Sequence, residues 1–157
     1  MNEDEAAIGR AVDAMYAMVS GPAGPRDWSG QLEAFHPQCL QVRTGVLRQA
    51  QDGREVEIPW RETFTLSEYA ANADRLLSTM DFFEVEIARR VQIFGNIAHV
   101  WSAYEARNAP DDAVPERRGI NSIQLYRDAP GRWRITAMIW DNERPGISVS
   151  ESLEVRS

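Results

Sequence analysis

The first third of the chain has the apolar periodicity of a helix. Ile8, Val12, Met15 and Val19 are separated by four, three and four positions, so they share one face of a helix predicted over Glu3–Val19. Asn2, with Glu5 three residues later, resembles a capping box that starts this helix, and Ser20-Gly21-Pro22 ends it. The same kind of spacing predicts a short second helix that carries Trp28, Leu32 and Phe35 and stops at Pro37.

A third helix is predicted from a second capping box. Thr65 is followed three positions later by Glu68, and the apolar face comprises Leu66, Ala70, Ala73, Leu77 and Met80. Between the second and third helices, residues 39–47 and 55–60 have strand-like patterns, and Asp52-Gly53 is a plausible hairpin turn between them.

The period changes from helical to two after Asp81. Apolar and polar positions then alternate: Phe83, Val85 and Ile87 on one face, and Glu84, Glu86 and Ala88 on the other. This pattern predicts a strand with one buried and one solvent-exposed face, and it predicts that both glutamates are solvated. Strands are then predicted over 97–107, 119–127 and 132–141, as an antiparallel run of neighbours.

Helices followed by consecutive strands predict an α+β domain in which three N-terminal helices cover one face of an antiparallel sheet. We predict one domain over residues 1–145 and a Ser-rich tail, 146–157, that is partly disordered. The last strand has Trp133, Ile135 and Ile139 on one predicted face, and Met138 and Trp140 on the other. Because helices cover only one face, we expect the outer face to meet a second copy in a homodimer.

Composition excludes several chemistries. Seventeen arginines and no lysine oppose 24 acidic residues, which gives a formal charge of -7. Without lysine there is no Schiff base and no P-loop lysine. Cys39 is the single cysteine, so no internal disulfide forms, and two histidines are too few for a three-histidine zinc site. We predict no metal and no cofactor.

The same composition also indicates the cellular location and whether a membrane or nucleic acid is a partner. The acidic start does not resemble a secretory signal, and no apolar run is long enough to span a membrane, so we expect a cytoplasmic protein without a membrane partner. The only paired arginines, at 89–90 and 117–118, give no continuous basic face, so nucleic acid is not expected as a partner.

Three segments carry a resemblance to a known superfamily. The stretches GNIAHVWSAYE (95–105), RGINSIQL (118–125) and GRWRI (131–135), with Ile139-Trp140, are similar to segments of bacterial nuclear transport factor 2-like proteins that lack an assigned activity. The resemblance covers about residues 6–143. It implies a cone-shaped, cystatin-like fold, with three helices against a curved sheet. Its members include ketosteroid isomerase, scytalone dehydratase, polyketide cyclases and non-enzymatic binding or assembly modules, so fold alone does not give function.

The isomerase pattern is only partly present. A tyrosine on the first helix polarises a ketone in that pattern, and Tyr16 falls at the corresponding place. The positions of the carboxylate base and the protonated aspartate hold Arg43 and Ile123, which can neither accept nor donate the required proton. The resemblance therefore implies a cavity rather than the isomerase reaction.

His99 is the candidate base near neutral pH, and Glu105 or Asp141 could orient it. The competing interpretation is a structural histidine on a strand or in a dimer seam. His99 and Trp101 share one face of strand 97–107, Val100 and Ser102 share the other, and a bulge would exchange them. The inward face is therefore left open.

The remaining candidates would shape a ligand pocket. Trp101, Met138 and Trp140 could form its walls, Arg43 could hold an acidic group, and Asn121 could orient a carbonyl. Ordinary core packing is the alternative for the aromatic residues. Two functions follow. One is a cofactor-independent lyase, isomerase or hydrolase for an apolar carbonyl or hydroxyl compound, with Tyr16 and His99 as catalytic residues. The other is a non-catalytic ligand-binding or dimeric assembly module with the same cavity.

Overall fold

The computed structural model describes residues 2–154 as four helices and six strands. The elements are α1 Glu3–Val19, α2 Gln31–Ala34, β1 Phe35–Gln51, β2 Arg54–Phe64, α3 Leu66–Leu76, β3 Phe83–Phe94, β4 Ile97–Arg107, β5 Arg117–Arg127, β6 Trp133–Asn142 and α4 Val149–Ser152. None of these helices has both the length and the apolarity needed to cross a bilayer.

Side-chain caps start both long helices where the sequence predicts them. The Glu5 amide donates to the Asn2 side chain (2.8 Å) at the start of α1. At α3 the capping box is reciprocal, because the Glu68 amide donates to Thr65 Oγ1 (3.2 Å) and the Thr65 amide donates to Glu68 Oε1 (3.0 Å). Each bond satisfies an amide that lacks a partner within the helix.

The six strands form one mixed sheet in the order β2-β1-β6-β5-β4-β3. Strands β3 to β6 pair as antiparallel neighbours, as predicted. Strand β1 is antiparallel to β2 but parallel to β6, so the sheet is not entirely antiparallel. Thr44 Oγ1 donates to the Trp140 carbonyl (2.7 Å), which adds a side-chain bond to this parallel seam.

The β1–β2 hairpin is longer than the sequence pattern predicts. Its turn is at Asp52-Gly53, as expected, with φ angles of 50° and 74°. Phe35, which the periodicity assigns to the second helix, begins β1, and α2 has only four residues. Much of the hairpin extends into solvent, so the alternation that marks a half-buried strand is weak there.

Helix α1 packs its apolar face on the concave side of the sheet. Ile8 and Val12 are fully buried, and they share a core with Ile123 and Ile135 from β5 and β6. Trp133 Nε1 donates to Asp4 (2.9 Å), which fixes the start of α1 against the end of the sheet. Met15 and Met18, in the C-terminal half of α1, line the hollow between the helices and the sheet.

Two strands differ from the predicted pattern of buried and exposed faces. In β3 the alternation holds from Phe83 to Glu86, but the glutamates face the helices while Val85 is 54% exposed, and the register shifts only between Glu86 and Ala88. The prediction that Glu84 and Glu86 are solvated is wrong, since one lines a cavity and the other is hydrogen-bonded under α1.

In the pairing of β5 with β6, the register shifts between Gln124 and Leu125. Consequently Ile135 and Met138 are both buried, while Ile139 is 43% exposed. The predicted grouping of Trp133 and Ile135 with Ile139 on one face is therefore wrong. An irregularity of one residue is enough to exchange the faces of a strand.

The segment after β6 returns across the outer face of the sheet. It includes the short α4, and Val149 and Leu153 are buried against Ala88 and Ala103. The structure thus describes the tail as far as Glu154, while residues 155–157 lie outside the described part. Partial disorder of the tail remains a prediction.

Candidate functional site

A cavity of about 260 Å³ lies between the helices and the concave face of the sheet. Its apolar wall comes from α1, α3 and the inner positions of the strands, and includes Met15, Met18, Trp28, Phe35, Leu77, Phe82, Met138 and Trp140. Its polar lining consists of Gln31, Gln41, Arg43, Asn72, Glu84, Arg117 and Asn121, with the phenols of Tyr69 and Tyr104. A mainly apolar hollow with few polar groups is typical of a small-molecule site.

Tyr69 of α3 stands at the centre of an aromatic wall. Its ring makes edge contacts with Trp28 and Trp140, at centroid distances of 6.0 and 6.1 Å. Trp28 is held in place by Asp74, which accepts a hydrogen bond from the indole nitrogen (3.1 Å) and another from the Arg26 amide (3.0 Å). The wall therefore presents rigid, edge-packed rings to the cavity.

Glu84 is positioned by the end of α1. The Glu84 amide donates to Ser20 Oγ (3.0 Å), at the residue that ends this helix. Next to it, Gly21 and Phe82 exchange backbone hydrogen bonds of 2.7 and 3.0 Å. The start of β3 is thus tied to the end of α1 at Phe82 and at Glu84 itself, and Glu84 lines the cavity.

The environment of Glu84 favours a protonated carboxyl. Burial raises the pKa of Glu84 from 4.5 to about 7, although Arg117 and the Asn121 amide act in the opposite direction. No ion pair joins Glu84 to any residue in the described range 2–154. Near neutral pH this carboxyl can therefore either accept or donate a proton.

A chain of hydrogen bonds leads away from the cavity behind Asn121. Asn121 Nδ2 donates to the Tyr16 hydroxyl (2.9 Å), which lies 2.6 Å from Ser102 Oγ, and Ser102 donates to Glu86 Oε2 (2.5 Å). Because the Ser102 proton is used by Glu86, the Tyr16 proton points to Ser102. Both hydrogen-bonding directions of the Tyr16 hydroxyl are therefore occupied within the protein.

The chain ends in an ion-paired arginine at the surface. Arg89 bonds to Glu86 (Nε–Oε2 3.0 Å) and to Asp13 of α1 (Nη2–Oδ1 2.6 Å). Gly9 allows this approach, since a β-carbon there would lie 2.7 Å from the Arg89 guanidinium. These contacts fix Glu86, and through it the orientation of Ser102 and Tyr16.

Both cavity arginines have acidic partners at the rim. Arg43 Nη2 lies 2.8 Å from Glu62 Oε1, and its guanidinium stacks over Phe64 at 5.6 Å from the ring centroid. Arg117 lies 3.2 Å from Glu116. Their positive charge is thus largely balanced before any ligand enters.

Comparison with known proteins shows which solved structures share this architecture. No protein-family model and no curated protein matches the chain. Solved structures do match. One is an NTF2-like protein of unknown function from Shewanella baltica, with 12% identity and a TM-score of 0.58 over 90% of this chain and 95% of that one. Another is a ketosteroid isomerase-like protein from Erwinia carotovora atroseptica, with 18% identity and a TM-score of 0.57 over 92% of this chain and 100% of that one.

A third match is the CaMKII hub of S. rosetta, with 17% identity and a TM-score of 0.55 over 87% of this chain and 95% of the hub. The chain has the nuclear transport factor 2-like, or cystatin-like, fold. At these identities the likeness concerns fold alone, and the nuclear transport factor 2-like fold carries many different sites.

Four of the predicted pocket residues line the cavity of this nuclear transport factor 2-like fold: Arg43, Asn121, Met138 and Trp140. Tyr16 lies behind Asn121, and its hydroxyl is bonded to Ser102 rather than presented to a ligand. The predicted polarising role of Tyr16 therefore does not agree with its surroundings.

His99 and Trp101 lie on the other side of the sheet. Strand β4 directs Val100 and Ser102 inward, so His99 and Trp101 face outward, with ring centroids 5.9 Å apart. His99 Nδ1 lies 2.7 Å from Gln124 Nε2 on β5. The sheet separates His99 from Tyr16, so the predicted catalytic pair does not share a site, and Trp101 does not contribute to the wall.

Glu84, Gln41 and Tyr69 line the cavity and are absent from the sequence-based candidates. The sequence does contain an indication of Glu84, because it alternates with apolar residues within a strand. A polar position of this kind can face a cavity as well as solvent. Only the partners on other elements distinguish the two cases. Within residues 2–154, no three His, Cys, Asp or Glu side chains are grouped to hold a metal ion.

Proposed function

We propose that the cavity binds a small, mainly apolar carbonyl or hydroxyl compound, and that Glu84 exchanges a proton with it. The observation that supports this is a carboxyl group without an ion-pair partner in residues 2–154, at the wall of an otherwise apolar cavity. The activity would be that of a cofactor-independent isomerase, lyase or hydrolase. Glu84 takes the role that the sequence assigns to His99.

Acid–base chemistry at Glu84 needs a group that stabilises negative charge on the substrate oxygen. Tyr69 lines the same cavity, and its hydroxyl makes no hydrogen bond with any described residue. Burial, followed by the nearby Glu84 charge, raises the pKa of Tyr69, so the phenol stays protonated and is available as a donor. A ketone oxygen bonded to Tyr69 would then sit close to Glu84.

The simplest reaction is proton transfer next to a carbonyl. The Glu84 carboxylate removes a proton from the carbon beside the carbonyl, and the C–H electron pair moves to the oxygen as an enolate that Tyr69 stabilises. Returning the proton to another carbon completes an isomerisation. Alternatively, loss of a β-hydroxyl, protonated by the Glu84 acid, completes a dehydration and releases water.

Deuterium exchange tests this proposal without knowledge of the natural substrate. Aromatic and terpenoid ketones that raise the melting temperature are incubated with the protein in D2O, and loss of the α-proton signal is followed by NMR. We expect exchange to be catalysed by the parent protein and lost in Glu84→Gln. Glu55→Gln, on the exposed hairpin, is the matched control and should retain the parent rate. Equal exchange in the two variants would contradict the role of Glu84.

A non-catalytic assembly module is the second candidate, favoured by the outer face of the sheet. Leu40, Val85, Phe94, Ile97 and Ile139 are between 43% and 82% exposed on β1, β3, β4 and β6. We propose that this face forms a homodimer, because exposed apolar groups of this number are typical of interfaces. The likeness to the hub structure supports an assembly role. Light scattering at micromolar concentration should give twice the 17.8 kDa chain mass, and Ile139→Glu should reduce the mass to that of a single chain.

A further inference from the structure

Gln41 is an amide side chain of β1 that lines the cavity. It lies on the inner face of β1, level with Met138 of β6, and is only 2% exposed. Its side chain makes no hydrogen bond with any residue that the structure describes. By contrast, Gln31 donates to the Leu66 carbonyl (3.2 Å) and Asn121 donates to Tyr16 (2.9 Å).

A buried amide without partners is destabilising unless a ligand or water satisfies it. Gln41 faces a hollow rather than packed side chains, so a ligand group can reach it. An amide both donates and accepts, which matches a hydroxyl or a ketone oxygen. Gln41 thus has the features of a ligand-recognition residue.

Gln41 and Glu84 lie at opposite sides of the cavity. Strands β6, β5 and β4 separate β1 from β3, which corresponds to four inter-strand spacings of about 4.8 Å each in a flat sheet. The curvature of the sheet and the reach of the two side chains shorten this gap. A ligand that contacts both residues must therefore have polar groups at its two ends and an apolar middle against the aromatic wall.

The charges around the cavity favour a neutral ligand. Arg43 and Arg117 are already paired with Glu62 and Glu116, so a ligand carboxylate would compete with those partners and would also meet Glu84. A ligand ammonium group would approach the same two arginines, and pairing with Glu84 would require that buried carboxyl to ionise. A charged group is therefore disfavoured on either side of the cavity.

We propose that Gln41 determines specificity, by binding the oxygen at one end of a neutral, elongated compound whose other oxygenated end meets Glu84. The cavity volume of about 260 Å³ suits a compound of about a dozen non-hydrogen atoms. This inference rests on the ligand-binding part of the proposed function, but it does not require that Glu84 be catalytic.

Four naphthalene probes of equal width test the proposal by calorimetry. They are a diol with one hydroxyl on each ring, the corresponding mono-ol, and two analogues of the diol in which one hydroxyl is replaced by a carboxylate or an aminomethyl group. In the parent protein we expect the diol to bind at least about tenfold more tightly than the mono-ol. The charged analogues should bind more weakly than the diol.

The variant Gln41→Met keeps the length of the side chain and removes the amide. We expect it to abolish the preference for the diol and to leave mono-ol affinity within about twofold. An unchanged diol preference overturns the role of Gln41. Tighter binding of a charged analogue, or no binding of any probe by the parent, overturns the proposed ligand class. All of these are binding results, so they are separate from the proton-exchange test of Glu84.

Stability without ligand supplies a second measurement. Because the Gln41 amide has no hydrogen-bond partner among the described residues and lies beside apolar groups, Gln41→Met should raise the melting temperature by about 2–4 °C. The control Gln31→Met removes an amide that is bonded, and should lower it. A fall of equal size in both variants would show that Gln41 is already satisfied within the protein, and would overturn the inference.

Discussion

The hydroxyl of Tyr16 lies 2.6 Å from Ser102 Oγ, and this contact joins two residues 86 positions apart in the chain. It connects the first helix to the centre of the sheet beneath the cavity. Since Asn121 also donates to Tyr16, the phenol determines how the Asn121 amide is presented to the cavity. Tyr16 is therefore a structural support for the site rather than a group that meets the ligand.

Removing the Tyr16 hydroxyl should destabilise the protein. Tyr16→Phe removes the donor to Ser102 and the acceptor of the buried Asn121 amide, at a cost of about 1–3 kcal/mol in the free energy of unfolding. Urea denaturation measures this change. Tyr126→Phe is the control, because its hydroxyl accepts only a long contact of 3.5 Å from Arg134, and it should change stability by less than about 0.5 kcal/mol. Equal effects would show that the chain of hydrogen bonds contributes nothing.

Stability should fall with rising pH because of Glu84. Its pKa is about 7 in the folded protein against 4.5 for a solvated glutamate, so between these values the folded state holds a proton that the unfolded chain releases. The stabilising contribution of the neutral acid is complete below 4.5 and is lost as pH rises through 7. Glu84→Gln removes this loss.

We therefore expect Glu84→Gln to be more stable than the parent by about 2–3 kcal/mol near pH 8, and to differ little near pH 4.5. Urea denaturation across this pH range, with Glu55→Gln as control, measures the difference. A parent and variant whose stabilities run parallel across the range would show that Glu84 titrates as a solvated carboxyl.

Gly119 and Gly9 should respond differently to alanine. A β-carbon at Gly119 would lie only 2.5 Å from the Asp141 carbonyl oxygen, and the Tyr104 ring also occupies that space. Because backbone cannot easily move, Gly119→Ala should cost about 1–3 kcal/mol. At Gly9 the close neighbour is the flexible end of Arg89, and alanine favours the helix, so Gly9→Ala should cost less. Melting temperatures compare the two variants, and equal losses would contradict this assignment.

The tail should detach when its apolar anchor is removed. Val149 is 3% exposed against the outer face, whereas nearby Ile147 is 49% exposed. Val149→Ser should speed amide hydrogen exchange in residues 146–154, and Ile147→Ser should have little effect. Rapid exchange of this segment already in the parent would instead support the prediction of a disordered tail.

The elements that the sequence predicts well are those with local causes. The capping residues Asn2 and Thr65 act within one helical turn, so their positions alone are sufficient. The antiparallel run of β3 to β6 follows from the direct connection of consecutive strands. The parallel pairing of β1 with β6 has no such local cause, and the periodicity contains no trace of it.

The candidate site was predictable only in part, because side-chain direction depends on partners in other elements. Asn121 follows regular alternation on β5 and lines the cavity, whereas Met138 lines it on the face of Ile135 because the register shifts between them. Glu84 also follows the alternation of its strand, but the face of β3 that carries the glutamates is the inner one. The prediction that Glu84 is solvated is wrong for that reason. A glutamine in a strand is usually solvent-exposed, so the sequence does not predict that Gln41 is buried. Its burial depends on the pairing of β1 with β6.

The parallel seam between β1 and β6 has a consequence for how the chain is made. Thr44 and Trp140, which it joins, are 96 residues apart, so the first hairpin emerges from the ribosome long before its docking edge exists. Until synthesis reaches the last strand, that edge of β1 is open to association with other nascent chains. Chaperone demand during expression should therefore depend on how quickly the C-terminal third is translated.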